Sequence, residues 1–232
     1  MKTSLRAHLL SPIAAVATSL LLQSTSPAAA GHYSYDLKDD FSTNQNPNGV
    51  WSYDYNDSPI STFQTFWWGE SGWGFSSLGD GAILKGNAPS GTDPWGNPIT
   101  PPHDWKPGDV MMHALSEPYG GLTTFLNVKW TSPAAGTIDI TGRAWDGEIF
   151  PDRNVGWSLI VDGTIVAQRS SVRGLNRKDK GARFSANLVG NNELKNIPVA
   201  QGSVVEFRVA TESYYGHFVG VGEKITLQTS KQ

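Results

Sequence analysis

The stretch FLNVKWTSPAAGTIDITGRAW, residues 125–145, decides the fold class. Phe125 to Trp130 alternates apolar and polar positions, and Thr137 to Trp145 alternates again with Ile138 and Ile140 on one face. A period of two puts neighbouring side chains on opposite faces of a strand, so each segment has one face to bury. Between them Ser132-Pro133-Ala134-Ala135-Gly136 reads as a turn: proline has no N–H to give a ladder, and Gly136 tolerates positive φ.

The same reading extends in both directions. Downstream, residues 155–161 and 164–168 flank Asp162-Gly163, a two-residue hairpin signal. Residues 182–188, 203–211 and 218–228 read as further strands, with Val205, Phe207 and Val209 sharing a face and turns at 190–192 and 201–202. Upstream, 50–55, 62–68 and 82–85 are strands, while 88–108 carries six of the 14 prolines and reads as a long structured loop. Turn residues recur every eight to twelve positions, and no sustained 3.6-residue apolar period follows residue 31. Alternating strands bury their apolar faces against a second sheet. The expected fold is therefore all-β, an antiparallel two-sheet β-sandwich with jelly-roll-like connectivity, in one domain over 31–232. The strand count is high for an immunoglobulin-like sandwich, whose cysteine pair is absent here.

Residues 1–30 are read apart from the fold. Lys2 and Arg6 precede an apolar run over 9–22, and Ser26-Pro27-Ala28-Ala29-Ala30 supplies small residues for a signal peptidase, with cleavage after Ala30. The run is shorter than the ~20 residues of a bilayer span, and no later segment is long and apolar enough for one. The expected mature product, 31–232, is secreted or periplasmic. It has no cysteine, so core burial must hold it together. Losing Lys2 and Arg6 leaves 16 basic against 21 acidic residues, a balance that favours neither nucleic acid nor an anionic membrane as partner. The local cluster Arg169, Arg173, Arg177, Lys178, Lys180 and Arg183 includes Asp179 and reads as a solvated hairpin tip.

Three segments carry a resemblance. Asp40-Phe41-Ser42 followed by Asn46-Pro47-Asn48-Gly49-Val50-Trp51-Ser52-Tyr53, then residues 128–138, then Trp157-Ser158-Leu159-Ile160-Val161-Asp162-Gly163, resemble a family of bacterial secreted β-sandwich domains. Such domains often occur in proteins of the PEP-CTERM type and are similar to jelly-roll carbohydrate-binding modules. The similarity spans most of 38–228 and implies the fold more specifically than a function. Two departures stand out: the chain carries no PEP-CTERM tail, and the proline-rich loop at 88–108 is an elaboration of its own.

Recognised catalytic motifs are missing: there is no G-x-S-x-G elbow, no H-E-x-x-H and no cysteine nucleophile. His32, His103, His113 and His217 are scattered singly, which favours structural or solvated roles. Asp146, Glu148 and Asp152 form the nearest approach to a carboxylate cluster. Their hard oxygens suit structural calcium, but the spacing matches no EF-hand and an ordinary acidic loop is the simpler reading; no other cofactor is expected.

Aromatic content is the anomaly. Of nine tryptophans, Trp51, Trp130 and Trp157 fall on alternating strands and read as core. Trp67 and Trp68 are strand neighbours, so one faces in and the other out. Trp73 lies beyond Gly69 and Gly72 and Trp95 and Trp105 on the proline-rich loop, all expected on loops. Indole faces stack on the C–H faces of sugars, whose hydroxyls need polar partners. The expectation is thus a non-catalytic module for carbohydrate or polysaccharide. Trp68, Trp73, Trp95 and Trp105 form its platform, with Arg143, Asp146 and Arg153 as polar partners. Tyr214, Tyr215 and His217 either cap a sheet edge or line a cleft. Two alternatives stay open: a small jelly-roll polysaccharide lyase or glycoside hydrolase drawing on Tyr119, His113 and Arg143, and a structural matrix protein.

Overall fold

The structure, a computed structural model, describes residues 30–66, 70–74, 81–86, 105–115, 124–147, 153–177, 181–211 and 216–230. Strand β1 (Gly31–Asp36) is followed by one helical turn, α1 (Leu37–Asp40), whose N-terminus is capped by the Asp36 carboxylate accepting from the Lys38 N–H. Then come β2 (Trp51–Tyr55), β3 (Ser58–Pro59), β4 (Phe63–Thr65), β5 (Ser71–Gly74), β6 (Ala82–Lys85) and β7 (Val110–His113). The second half holds β8 (Leu126–Thr131), β9 (Gly136–Asp146), β10 (Val155–Val161), β11 (Thr164–Arg169), β12 (Ala182–Arg183), β13 (Ile197–Val199), β14 (Val204–Thr211) and β15 (Phe218–Thr229).

These strands form two antiparallel sheets. Sheet A runs β12-β9-β15-β7-β6-β5-β4, with β1 also on β15 and β13 also on β9; sheet B runs β11-β10-β14-β8-β2-β3. The chain leaves β8 in sheet B for β9 in sheet A and returns to the β10–β11 hairpin in B. It then crosses to β12 in A and comes back through β14 in B to β15 in A. The interleaved orders β12-β9-β15-β7 and β11-β10-β14-β8 are those of a jelly roll, the connectivity expected from the high strand count.

The core lies between the sheets. Sheet A contributes Ile138 and Ile140 from β9 and Val221, Ile225 and Leu227 from β15; sheet B contributes Trp51, Tyr53, Val128, Trp130, Trp157 and Phe207, all buried. At the β10–β11 turn, Asp162 and Gly163 take φ of 46° and 79°, as a two-residue hairpin requires.

Residues 40–53 close this core. The Asp40 carboxylate accepts the Trp51 indole N–H at 3.1 Å, and the Phe41 ring sits 4.5 Å from that of Tyr53. Ser42 N–H donates to the Tyr53 hydroxyl at 2.9 Å, and Ser42 C=O accepts the Trp73 indole N–H at 2.8 Å. Asn46 bonds Tyr53 through both its amide nitrogen and its oxygen. Burial pushes the Tyr53 hydroxyl up to about 12. These residues specify a packed corner.

Three sequence readings change. Residues 182–188 give only the two-residue β12 and then a 3-10 turn, Phe184–Ala186, because the buried Phe184 ring must turn inward onto Trp157 and Phe207. Gly136 needs no positive φ; a Cβ there would lie 2.2 Å from the Gln228 carbonyl oxygen, so close strand approach demands the glycine. Residues 71–74, expected as a glycine-bounded loop, form β5, paired with β4 and β6.

Candidate functional site

The tryptophans settle first. Among the described residues every tryptophan is buried: Trp51, Trp73, Trp105, Trp130, Trp145 and Trp157. Trp73 was expected on a loop and instead lies on β5 at 4 % exposure in the main core, its ring edge-on to Phe63 at 5.2 Å. Trp105, at 7 %, joins a second apolar cluster with Leu84, Met111, Trp145 and Phe218, its ring 5.0 Å from Phe218. Trp145 can lie flat against sheet A because its cross-strand partner is Gly220, where a Cβ would come within 1.9 Å of the indole. Neither Trp73 nor Trp105 offers a stacking face to solvent, so the platform expectation is corrected for both. Trp67, Trp68 and Trp95 lie outside the described residues.

The expected polar partners divide between two places. Asp146, the last residue of β9, and Arg153, just before β10, both reach the segment preceding β15. An oxygen of Asp146 lies 2.7 Å from His217 Nε2, and its other oxygen accepts the Gly174 N–H at 2.8 Å. Arg153 Nη1 donates to the Gly216 carbonyl at 3.2 Å. His217 is wholly buried, and its carbonyl accepts from Ala114 N–H. His113 is buried too, its ring edge 4.4 Å from Phe218. The pair His217–Asp146 has the geometry of an oriented imidazole, yet both side chains are sealed inside the protein. What the arrangement does is tie the 171–177 segment and the start of β15 to the end of β9. Beside it Arg177 grips the buried Asp109 through two guanidinium nitrogens, one at 2.9 Å, and stands over the Trp145 ring at 5.7 Å. Of the acidic set read as a calcium candidate only Asp146 is described, with both oxygens engaged as above; Glu148 and Asp152 lie outside the described residues, as do Tyr119, Tyr214, Tyr215 and His103. Among the described residues no group of three or more His, Asp or Glu side chains is gathered to hold a metal.

Open polar chemistry lies elsewhere, on the outer face of sheet B. Register sets Asp54, Asn127, Arg208, Ser158 and Gln168 side by side across β2, β8, β14, β10 and β11, one row spanning the sheet. The two halves of this row differ. At the β2 end the groups are tied to one another: Lys129 Nζ reaches Asp54 at 3.0 Å and Asp57 at 2.8 Å, and Asn127 donates to Asp57 at 3.1 Å, while one Asp54 oxygen and the Asn127 amide oxygen have no partner among the described residues. That bond to Lys129 is the leading reason the Asp57 carboxyl lies below its ordinary range. Arg208 holds Glu206 through Nε and stacks on the Phe125 ring at 3.7 Å.

Toward β11 the row opens into a groove of about 660 Å³. Its floor is made of small residues, Gly156, Ser158 and Ala210, and its walls of Gln168, Arg169 and Arg208. Gly156 keeps the floor low, since a Cβ there would press on the Arg169 and Ser170 carbonyls at 3.1 and 3.2 Å. The Ser158 and Ser170 hydroxyls and the Gln168 amide make no hydrogen bond to the other described residues, and Gln168 and Ser170 are exposed. The groove is within the ~300–1,000 Å³ usual for small-ligand sites and is lined by unused donors and acceptors. Sequence reading missed it because these residues come from three separate strands; small residues at alternate outward positions of β10 were the only local signal.

The remaining expected residue, Arg143, three residues before Asp146 on β9, faces outward on sheet A and lines a different groove. Compared with known proteins, the chain matches no family model and no curated protein.

Proposed function

We propose that this protein is an exported, non-catalytic binding module for carbohydrate, and that it holds a neutral glycan in the groove on the outer face of sheet B. The observation that carries the reading is the set of unsatisfied polar groups over a floor of small residues: Ser158, Ser170 and Gln168 around Gly156 and Ala210. Sugar hydroxyls are paired donors and acceptors, and a hydroxyl–amide–guanidinium lining meets both needs, while small floor residues let a ring lie close to the backbone. The resemblance to secreted sandwich domains similar to carbohydrate-binding modules supports the same reading. Export is supported by the start of β1 at Gly31, where the chain enters the fold directly after the small-residue stretch ending at Ala30.

The test fills the groove. Ser158→Trp points its new side chain outward over Gly156 and Ala210, so the core is untouched. Retention of the purified 31–232 chain on an immobilised neutral polysaccharide, chosen by glycan array, should fall by roughly tenfold or more, which is ~1.4 kcal/mol of affinity. The melting temperature should stay within a few degrees of the parent. Binding equal to the parent's removes the groove from consideration, and release of new reducing ends from the bound polymer overturns the non-catalytic reading.

A further inference from the structure

The outer face of sheet A carries a second groove, of about 810 Å³, and its chemistry differs from that of the first. Five cations line it: Lys38 on α1, Arg143 on β9, Arg183 on β12, Lys195 before β13 and Lys224 on β15. Arg143, Arg183, Lys195 and Lys224 have no carboxylate within ion-pair distance among the described residues, although Asp36, Glu193 and the buried Glu223 line the same groove. Asp36 is half engaged already, since one of its oxygens caps α1 at 3.1 Å from the Lys38 N–H. Lys38, at the rim, leans instead toward Asp109 at 3.9 Å.

The placement of the two arginines is the telling feature. Arg143 and Arg183 are direct cross-strand partners on β9 and β12, both pointing away from the core. Like charges set directly opposite on one sheet face repel, and a fold usually places an acid between them. Here the other flank of Arg143 is Gly222, which has no side chain to offer. Among the described residues neither arginine is ion-paired, in a chain whose acids outnumber its bases after the first thirty residues. Leu188, exposed at 39 %, adds apolar surface to the lining, while Leu194 is buried in the main core.

We propose that this groove is a second ligand site and that it binds an acidic polysaccharide, one whose sugars carry carboxylate or sulfate groups. The polymer class rests on the carbohydrate reading above; the requirement for an anion rests on Arg143 and Arg183 alone. The guanidinium pair offers forked donors that match a carboxylate or sulfate bidentately, and Lys195 and Lys224 supply point charges further along the groove. Leu188 gives the C–H faces of the sugar an exposed apolar contact. A nucleic acid fits less well. Single strands are held by stacking on aromatic rings, which the groove lining lacks among the described residues.

The experiment measures binding of the 31–232 chain to polygalacturonate, to its neutral methyl ester, to dextran sulfate and to single-stranded DNA, with a salt titration of each. The parent should bind polygalacturonate or dextran sulfate, bind the methyl ester at least tenfold more weakly, and lose affinity steeply as salt rises. The double variant Arg143→Gln/Arg183→Gln should weaken binding to the acidic glycan tenfold or more. In the absence of ligand it should melt no lower than the parent, because the cross-strand repulsion is gone. Ser158→Trp, in the opposite sheet, should leave acidic-glycan binding unchanged, so failure of one groove is distinguished from failure of the other. Undiminished binding by the double variant overturns the proposal. So does equal affinity for single-stranded DNA, which would make the groove a site for any polyanion, and so does the absence of binding to both acidic polymers.

Discussion

Replacing Glu223 by methionine should raise the melting temperature at neutral pH and remove most of its decline between pH 5 and 8. Glu223 sits on the inner face of β15 in line with Val221 and Ile225, at 3 % exposure, and neither carboxyl oxygen has a hydrogen-bond partner among the described residues. Its cross-strand partner is Gly142, and the space a side chain would take there is filled by the Phe184 ring, 2.3 Å from the position of a Cβ. Burial alone pushes the carboxyl up from 4.5 to about 8. Below pH 4.5 both the folded and unfolded chains hold the proton and the group costs nothing through ionisation. Between 4.5 and 8 the unfolded chain releases it while the folded chain keeps it, so the folded state binds the extra proton and stability falls as pH rises, by about 1.4 kcal/mol per unit. Above 8 both forms are ionised and the loss levels off, on the order of several kcal/mol. Methionine is unbranched, near glutamate in length and free of charge, so it fills the same slot without the titration. Urea unfolding of parent and variant from pH 4 to 9 checks this. The difference between the two should grow across 5–8 and then flatten; parallel profiles would show that the carboxyl is solvated in the folded protein. Tyr53, raised to about 12, titrates outside the window and cannot mimic the effect.

Fold class was legible because it depends on local alternation. In residues 125–145 the faces of β8 and β9 can be assigned from the sequence, and Ile138 and Ile140 lie in the core as the period demands. What alternation does not carry is partnership. Strands β8 and β9 are adjacent in sequence yet belong to different sheets, so the turn at 132–136 is a crossover. Glycine was the main source of error. Gly72 looked like a loop signal; it lies in β5 because a Cβ there would meet the Ile83 carbonyl and the Leu84 side chain at 2.6 Å. The same demand for close approach explains Gly136 and Gly220, and none of it is visible without the neighbouring strand. The candidate groove was hidden for a related reason. Gln168, Ser158 and Arg208 meet only through the pairing of β11, β10 and β14, and serine or glutamine on a strand carries no motif. Tryptophan count drew the reading toward a platform, while the six tryptophans among the described residues fill two apolar clusters.

Trp73 is where these two uses of tryptophan separate most sharply. On a solvent-facing platform, Trp73→Ala would leave stability alone and abolish binding. The structure requires the reverse. The indole is buried in the main core, edge-on to Phe63 and stacked toward Tyr53 at 6.3 Å, and its N–H satisfies the Ser42 carbonyl. Truncation to alanine removes the ring, leaves a cavity between β5 and the 40–42 corner and orphans that carbonyl, a change of about 3–5 kcal/mol for a buried tryptophan. In a domain of this size each kcal/mol moves the melting temperature by about 2–4 °C, so the fall should be of order 10 °C. Trp73→Phe keeps most of the packing and loses the hydrogen bond, so it should fall between parent and alanine variant. Glycan retention measured well below the alanine variant's midpoint should match the parent for both, because the sheet B groove is built from β10, β11 and β14 and shares no residue with this corner. Melting of Trp73→Ala within two degrees of the parent, with retention lost, would place the ring at the ligand and return the binding surface to sheet A. A large drop in melting temperature with retention intact assigns Trp73 to the core and leaves recognition to polar side chains.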